Sequence, residues 1–158
     1  MYKDVLKMLE NRGVSLDEIA QVVLQIQKGY YPELTMEECL AGVDAVIRKR
    51  EVQHAILTGV ALDVLAEENK LPEPLQSIVA KDDFLFGVDE IVALSITNVY
   101  GSIGLTNFGY LDKTKPLIIG TLNSHKGGRC HTFLDDLVSA IAAAAASRIA
   151  HARRPAED

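Results

Sequence analysis

No residue from Ile91 to Leu111 carries a formal charge. A helix of about 20 apolar residues is long enough to cross the hydrocarbon of a bilayer. The run must therefore either enter a membrane or bury itself in a core. It also contains Ser95, Thr97, Asn98, Ser102, Thr106 and Asn107, with glycines at 101, 104 and 109. That many polar side chains and helix-weakening glycines suit two buried helices joined by a bend better than one membrane span.

The rest of the chain reads as helix as well. A short helix from Tyr2 to about Asn11 stops at Gly13. Ser15 and Glu18 form a capping box, and so do Thr35 and Glu38; each opens an apolar-periodic run. Gly29 and the turn Tyr30-Tyr31-Pro32 separate these two helices. Arg48-Lys49-Arg50 suits a helix C-terminus, and Glu51 to Glu68 continues in helical register after a kink. Leu71-Pro72-Glu73-Pro74 breaks the pattern, and a short helix restarts after Pro74. Gly87 precedes the next helix, and Pro116 begins a short one through Leu122. Asn123 to Arg129 reads as a loop. Thr132 reads as the cap of a long last helix ending near Arg153, with a frayed tail over 153–158. Ala142 to Ala146 allows close helix packing, internally by default or against a second subunit of a homo-oligomer. Strand-like alternation is scarce and no Asn-Gly or Asp-Gly hairpin turn occurs. The expected fold is all-α, a compact multi-helix bundle in one domain over residues 1–158, its N-terminal helices within 1–34.

Composition limits the function. Hydrophobic residues are 48% of the chain, enough for a sizeable core, and aromatics only 6%. A net charge of -6 argues against a nucleic-acid partner, which calls for a broad basic surface. Two cysteines, Cys39 and Cys130, are too few for a disulfide scaffold or a four-cysteine zinc site. With no apolar leader at Met1–Val5, the cytoplasm is the expected compartment.

Two acid pairs stand in apolar surroundings. Asp89-Glu90 lies between Phe84-Leu85-Phe86 and Ile91-Val92-Ala93; Asp135-Asp136 lies between Phe133-Leu134 and Leu137-Val138. Acids in such settings are costly unless exposed, paired or metal-bound. Neighbouring helix positions differ by about 100°, so one acid of each pair faces inward while the other flanks it. If the helices meet, four carboxylates converge, and an oxygen-only cluster suits Mg²⁺. The bland alternative is that Asp135 and Asp136 are ordinary helix-start acids. Asp82 lies two helical turns before Asp89, if no break intervenes at Gly87. The segment Lys126-Gly127-Gly128-Arg129 offers cations, open backbone and a following helix N-terminus to a phosphate. Lys115 adds a further cation.

Several familiar signatures are absent. A cysteine-phosphatase loop from Cys130 needs Arg at 136, where Asp136 stands. Asp112-Lys113-Thr114 lacks the downstream acid of a phosphorylated aspartate. There is no phosphate-loop motif of the Walker type and no His-Glu-x-x-His zinc motif.

At these residues the sequence resembles the phosphatidylglycerophosphatase A family. Asp82 followed by Val88-Asp89-Glu90-Ile91-Val92 is similar to its acidic block. Leu111-Asp112 with Lys115-Pro116 resembles its Leu-Asp-x-x-Lys-Pro segment. Gly127-Gly128 with Leu134-Asp135-Asp136-Leu137-Val138 resembles its Gly-Gly…Asp-Asp block. These blocks cover about residues 81–149. The Pro-Gly-Thr-x-Gly-Ser block of the membrane members is absent, and Gly109 stands where they have Arg. Arg129 to Phe133 replaces their Gly-Ile-Met type run. The hydrophobic spans give way to amphipathic helices, as in a soluble, shortened branch.

The resemblance implies a Mg²⁺-dependent phosphomonoesterase that removes the terminal phosphate of phosphatidylglycerophosphate or a related ester. It implies Asp89, Glu90, Asp135 and Asp136 as metal ligands, direct or through water, and Asp82 as a weaker candidate ligand or general base. Lys115, with Lys126 or Arg129, would neutralise the phosphoryl charge. Gly127 and Gly128 would line the substrate, and Asp112 would orient Lys115 or join the metal. The partner is then a phospholipid met by peripheral contact at the inner face of the membrane. The alternatives are a non-catalytic helical metal-binding protein and a membrane-peripheral regulator.

Overall fold

The computed structural model describes residues 1–124 and 126–153, except the side chain of Lys126. Among the described residues the regular structure is helical, with no strand. Helix α1 spans Tyr2–Asn11, α2 Leu16–Gln27, α3 Met36–Ile47, α4 Arg50–Glu67 and α5 Leu75–Lys81. They are followed by α6 Val88–Thr97, α7 Gly101–Thr114, α8 Ile118–Asn123 and α9 Leu134–Ala152.

Local signals set most of these boundaries. Both capping boxes form: Ser15 and Thr35 accept the backbone N–H of Glu18 and Glu38, whose carboxylates accept the N–H of Ser15 and Thr35 in return. Between α3 and α4 the chain breaks outright, with Lys49 extended, where a kink was expected. The buried Gln53 amide accounts for the break, since it donates to the end carbonyls Ile47 O and Arg48 O of α3.

The last helix is the axis of the molecule. Every residue from Leu134 to Ser147 is buried, and α2, α3, α4, α6, α7 and α8 all pack against α9. A helix apolar on all sides must be enclosed in this way. The run Ala142 to Ala146 is fully covered from within the chain, which is the internal packing expected of it. Small residues let the surrounding helices come close. A Cβ on Gly59 would stand 2.7 Å from Leu137 Cδ1 and 3.0 Å from Phe133 Cβ.

Three expectations need correction. Thr132 does not cap α9: its hydroxyl donates to Val79 O at 2.7 Å, and the first amides of α9 are met from α4 by Asp63. The uncharged run does bend, at a 3₁₀ turn over Asn98–Tyr100 and at Gly101, but only one face of it is buried. Ala93, Ile96, Gly104, Phe108 and Leu111 turn inward, while Ile91, Val99, Leu105 and Tyr110 are exposed. By length and composition the stretch Val88–Thr114 remains sufficient to cross a bilayer. Lastly, Arg153 is not frayed, because it donates to Glu33 and, at 2.6 Å, to Glu38. The remainder of the expected tail, 154–158, lies outside the described residues.

Candidate functional site

The cleft that gathers the acid pairs is built by four segments meeting at the start of α9. Asp82 ends α5 in a left-handed conformation, φ 52°. Gly87 turns the chain into α6 at φ 67°, a conformation open to glycine, so that Asp89 and Glu90 occupy its first turn. There the helix dipole favours their negative charge. Asp112 lies near the end of α7, and Lys115 follows it in a left-handed turn, φ 44°. Gly120 on α8 allows that turn, since a Cβ there would stand 2.5 Å from Lys115 O. Phe86 packs edge-on against Phe133, centroids 5.8 Å apart, and ties the 82–87 loop to α9.

The result is a cleft of about 360 Å³ lined by Asp82, Asp89, Glu90, Asp112, Lys115, Asp135 and Asp136. Its rim carries Phe84 and Leu85, exposed at 87% and 84%. The two acid pairs, far apart in sequence, share this one cavity. Asp89 faces inward and Glu90 outward, the division expected of adjacent helix positions. Asp135 and Asp136 depart from it, both at 4% exposure. The enclosure of α9 on every side leaves neither of them a solvent face.

Lys115 holds the acids together. Its Nζ donates to Asp112 Oδ1 at 2.6 Å, Asp135 Oδ2 at 2.9 Å and Asp136 Oδ1 at 3.3 Å. Burial works to lower its pKa, yet the charges of Asp135 and Asp136 and the bond to Asp112 raise it above the ordinary lysine range. Burial raises Asp135, and burial together with the neighbouring charge of Asp135 raises Asp136. Burial also raises Asp89, helped by the charge of Asp82, and Glu90, helped by Asp112 and Asp89. The cleft thus holds an excess of negative charge that one ammonium only partly neutralises.

The expected phosphate loop lies elsewhere. Gly128 and Arg129 line a separate cleft with Glu67, Lys81 and Cys130. Arg129 donates to Asn11 O at 3.0 Å, which turns its guanidinium toward the end of α1. Glu67, ion-paired with the buried Arg12, accepts the N–H of Cys130 and pins the segment in that position. Gly127 adopts φ 81° within the 3₁₀ turn and is not part of the acid cleft's lining. The side chain of Lys126 lies outside the described residues.

The donor set fits magnesium in kind. Among the described residues no three His, Cys, Asp or Glu donors are grouped closely enough to hold a metal by themselves. The cation touching Asp135 and Asp136 here is Lys115. Mg²⁺ does not need a complete protein cage, as it keeps several waters and joins one or two carboxylates to a phosphate. A pair of adjacent buried carboxylates beside two more acids supplies that minimum, in oxygen donors alone.

Known proteins extend the resemblance over nearly the whole chain. The family model Phosphatidylglycerophosphatase A matches residues 6–151. The uncharacterized protein YutG of Bacillus subtilis (strain 168) is 56% identical over 149 residues, 94% of this chain and 90% of that protein. The uncharacterized protein YpjQ of the same organism is 56% identical over 151 residues, 96% of this chain and 85% of that one. A solved structure of a protein of unknown function from Bacillus stearothermophilus is similar at TM-score 0.95 and 58% identity, covering 98% of this chain and 96% of its own. The low temperature requirement C protein of Listeria monocytogenes is similar at TM-score 0.93 and 56% identity, covering 96% and 95%. With its two acid pairs and Lys115 in one cleft, and a family match from residue 6 to residue 151, this chain belongs to the phosphatidylglycerophosphatase A family.

Proposed function

We propose that the cleft is the active site of a Mg²⁺-dependent phosphatase whose substrate is a phosphate monoester carried by a lipid, phosphatidylglycerophosphate or a close relative. The observation that carries this reading is the meeting of Asp89, Glu90, Asp135 and Asp136 with Lys115 in one cavity. A phosphate monoester brings two negative charges, which an acid-rich cleft accepts only if a cation comes with it. The family model's name supports the ester, and the apolar rim at Phe84 and Leu85 supports a substrate with an apolar body.

In this reading Asp89, Glu90, Asp135 and Asp136 hold the metal, directly or through water. Bound there, Mg²⁺ would polarise a phosphoryl oxygen and acidify a water. Lys115, oriented by Asp112 and kept charged by its neighbours, faces negative charge on the phosphoryl group. Asp82, on the cleft wall, is the candidate acceptor for a proton of the attacking water. The oxygen of water bonds to phosphorus, the bond from phosphorus to the ester oxygen breaks, and that oxygen leaves as an alcohol with a proton. Inorganic phosphate is the second product.

Phosphate release from phosphatidylglycerophosphate in mixed micelles tests the reading. Chelation with EDTA is expected to abolish turnover and Mg²⁺ to restore it. Asp136→Asn and Glu90→Gln are each expected to lower kcat about 100-fold or more. Folded variants with undiminished turnover would remove these residues from the chemistry. Cleavage of a soluble ester but never of the lipid would overturn the substrate while leaving the reaction class intact.

A further inference from the structure

The first amides of a helix have no partner within it and are ordinarily met by a side chain just upstream. Helix α9 lacks such a cap, since Phe133 offers none and the Thr132 hydroxyl makes no bond to these amides but donates to Val79 O. Asp63, three helical turns into α4, takes that place from across the core. Its Oδ1 accepts the N–H of Phe133 at 3.1 Å and its Oδ2 accepts the N–H of Leu134 at 3.0 Å. The side chain has no solvent exposure. The next two residues along the chain are Asp135 and Asp136.

We propose that Asp63 is a positioning residue for the cleft: by gripping the amides of 133 and 134 it sets where the Asp135 and Asp136 carboxylates stand against Lys115. This rests on reading the cleft as the phosphate site. Two oxygens on two successive amides fix both the height of the first turn and its rotation about the helix axis. A single bond would leave the rotation free. Rotation is what matters to Asp135 and Asp136, whose bonds to the one Lys115 ammonium differ by only a few tenths of an ångström. The neighbouring clasp does a different job. Arg12 donates to the carbonyl of Cys130 and Glu67 accepts its N–H, which anchors the approach to α9 but not the first turn.

The test compares wild type with Asp63→Ala, Asp63→Asn and Val60→Ala. Asparagine keeps one acceptor oxygen but turns an NH₂ toward the second amide, so it loses half the grip and serves if the alanine variant does not fold. Val60 is a buried core residue one turn earlier on α4, and its truncation is a control for lost packing. In Asp63→Ala, amide exchange by NMR at Phe133 and Leu134 is expected to quicken about 10-fold or more, with Ala142 to Ala146 unchanged. The kcat for phosphatidylglycerophosphate is expected to fall on the order of 100-fold and KM to stay within about 2-fold, with a smaller loss in Asp63→Asn. Val60→Ala should keep kcat within about 2-fold at a comparable loss of Tm. Undiminished kcat in a folded Asp63→Ala or Asp63→Asn, or an equal loss in Val60→Ala, overturns the proposal. If wild type releases no phosphate at all, the phosphatase reading falls by itself. The exchange measurement then decides the grip: faster exchange confined to Phe133 and Leu134 upholds it, and unchanged exchange overturns it.

Discussion

Lys115 meets three carboxylates while most of its side chain is shielded from water. Removing one member of such a set leaves charges that are buried and unmatched. Lys115→Met is expected to cost on the order of 3 kcal/mol at neutral pH in urea denaturation. Asp135 and Asp136, already raised by burial, would then be pushed further upward, so the folded state would hold protons that the unfolded state gives up. Stability of the variant should therefore fall as pH rises from about 4 toward neutrality, and its deficit should shrink below about pH 4, where both states are protonated. A deficit independent of pH would mean that the acids do not depend on Lys115. Asp63 gives a second pH test. Burial raises it to about 7, against the opposing pull of its bonds to Phe133 and Leu134. A carboxyl raised in the folded state is protonated there while ionised in the unfolded chain, so its contribution to stability declines between about pH 4 and pH 7. Asp63→Asn is expected to flatten the fall of Tm across that window, whatever its effect on the absolute value. An unchanged slope would show that Asp63 is ionised throughout.

Helix α8 is short, and its seating depends on one atom that is missing. With no Cβ on Gly120, the helix lies against the carbonyl of Lys115, whose left-handed turn sends the side chain toward Asp135 and Asp136. Gly120→Ala would force backbone to move, at a cost of about 1–3 kcal/mol. Because the displaced backbone is that of Lys115, turnover is expected to fall further than the loss of Tm alone accounts for. Equal effects on turnover and on Tm would show that the turn relaxes without moving the ammonium. The helices themselves were legible in advance because their signals are local. Capping boxes, prolines and glycines act within about one turn of where they stand. Thr132 misleads on the same principle: a threonine ahead of an apolar run reads as a cap, but here the hydroxyl is turned to donate to Val79 O on α5 and accepts no amide of α9.

At the scale of the whole molecule, part of the exposed apolar surface borders the cleft. Phe84 and Leu85 form its rim, and Val88 and Ile91 continue from them along the outer side of α6. On the lipid reading this edge meets the bilayer. Phe84→Ser with Leu85→Ser is then expected to weaken sedimentation with phosphatidylglycerol vesicles about 100-fold or more, since the two side chains together contribute about 3–6 kcal/mol when fully buried. Turnover of a water-soluble phosphate ester should be unaffected. Equal losses on both substrates would place these residues in the chemistry and not at the membrane.

The linear order of residues was enough to announce an all-helical chain, to mark Asp89-Glu90 and Asp135-Asp136 as acids out of place, and to name Lys115 beside them through the family's blocks. Both the patterns and the blocks are short-range, so they survive without knowledge of the fold. Which way those side chains face was another matter. That both Asp135 and Asp136 are buried follows from six helices closing around α9, and no periodicity along α9 itself could reveal it. That Arg129 turns away depends on a carbonyl at Asn11, and that α9 is capped depends on Asp63 on α4. These partners lie 118 and 70 positions apart along the chain. Contacts at such distances leave no mark in local spacing, because they exist only once packing has brought the helices together.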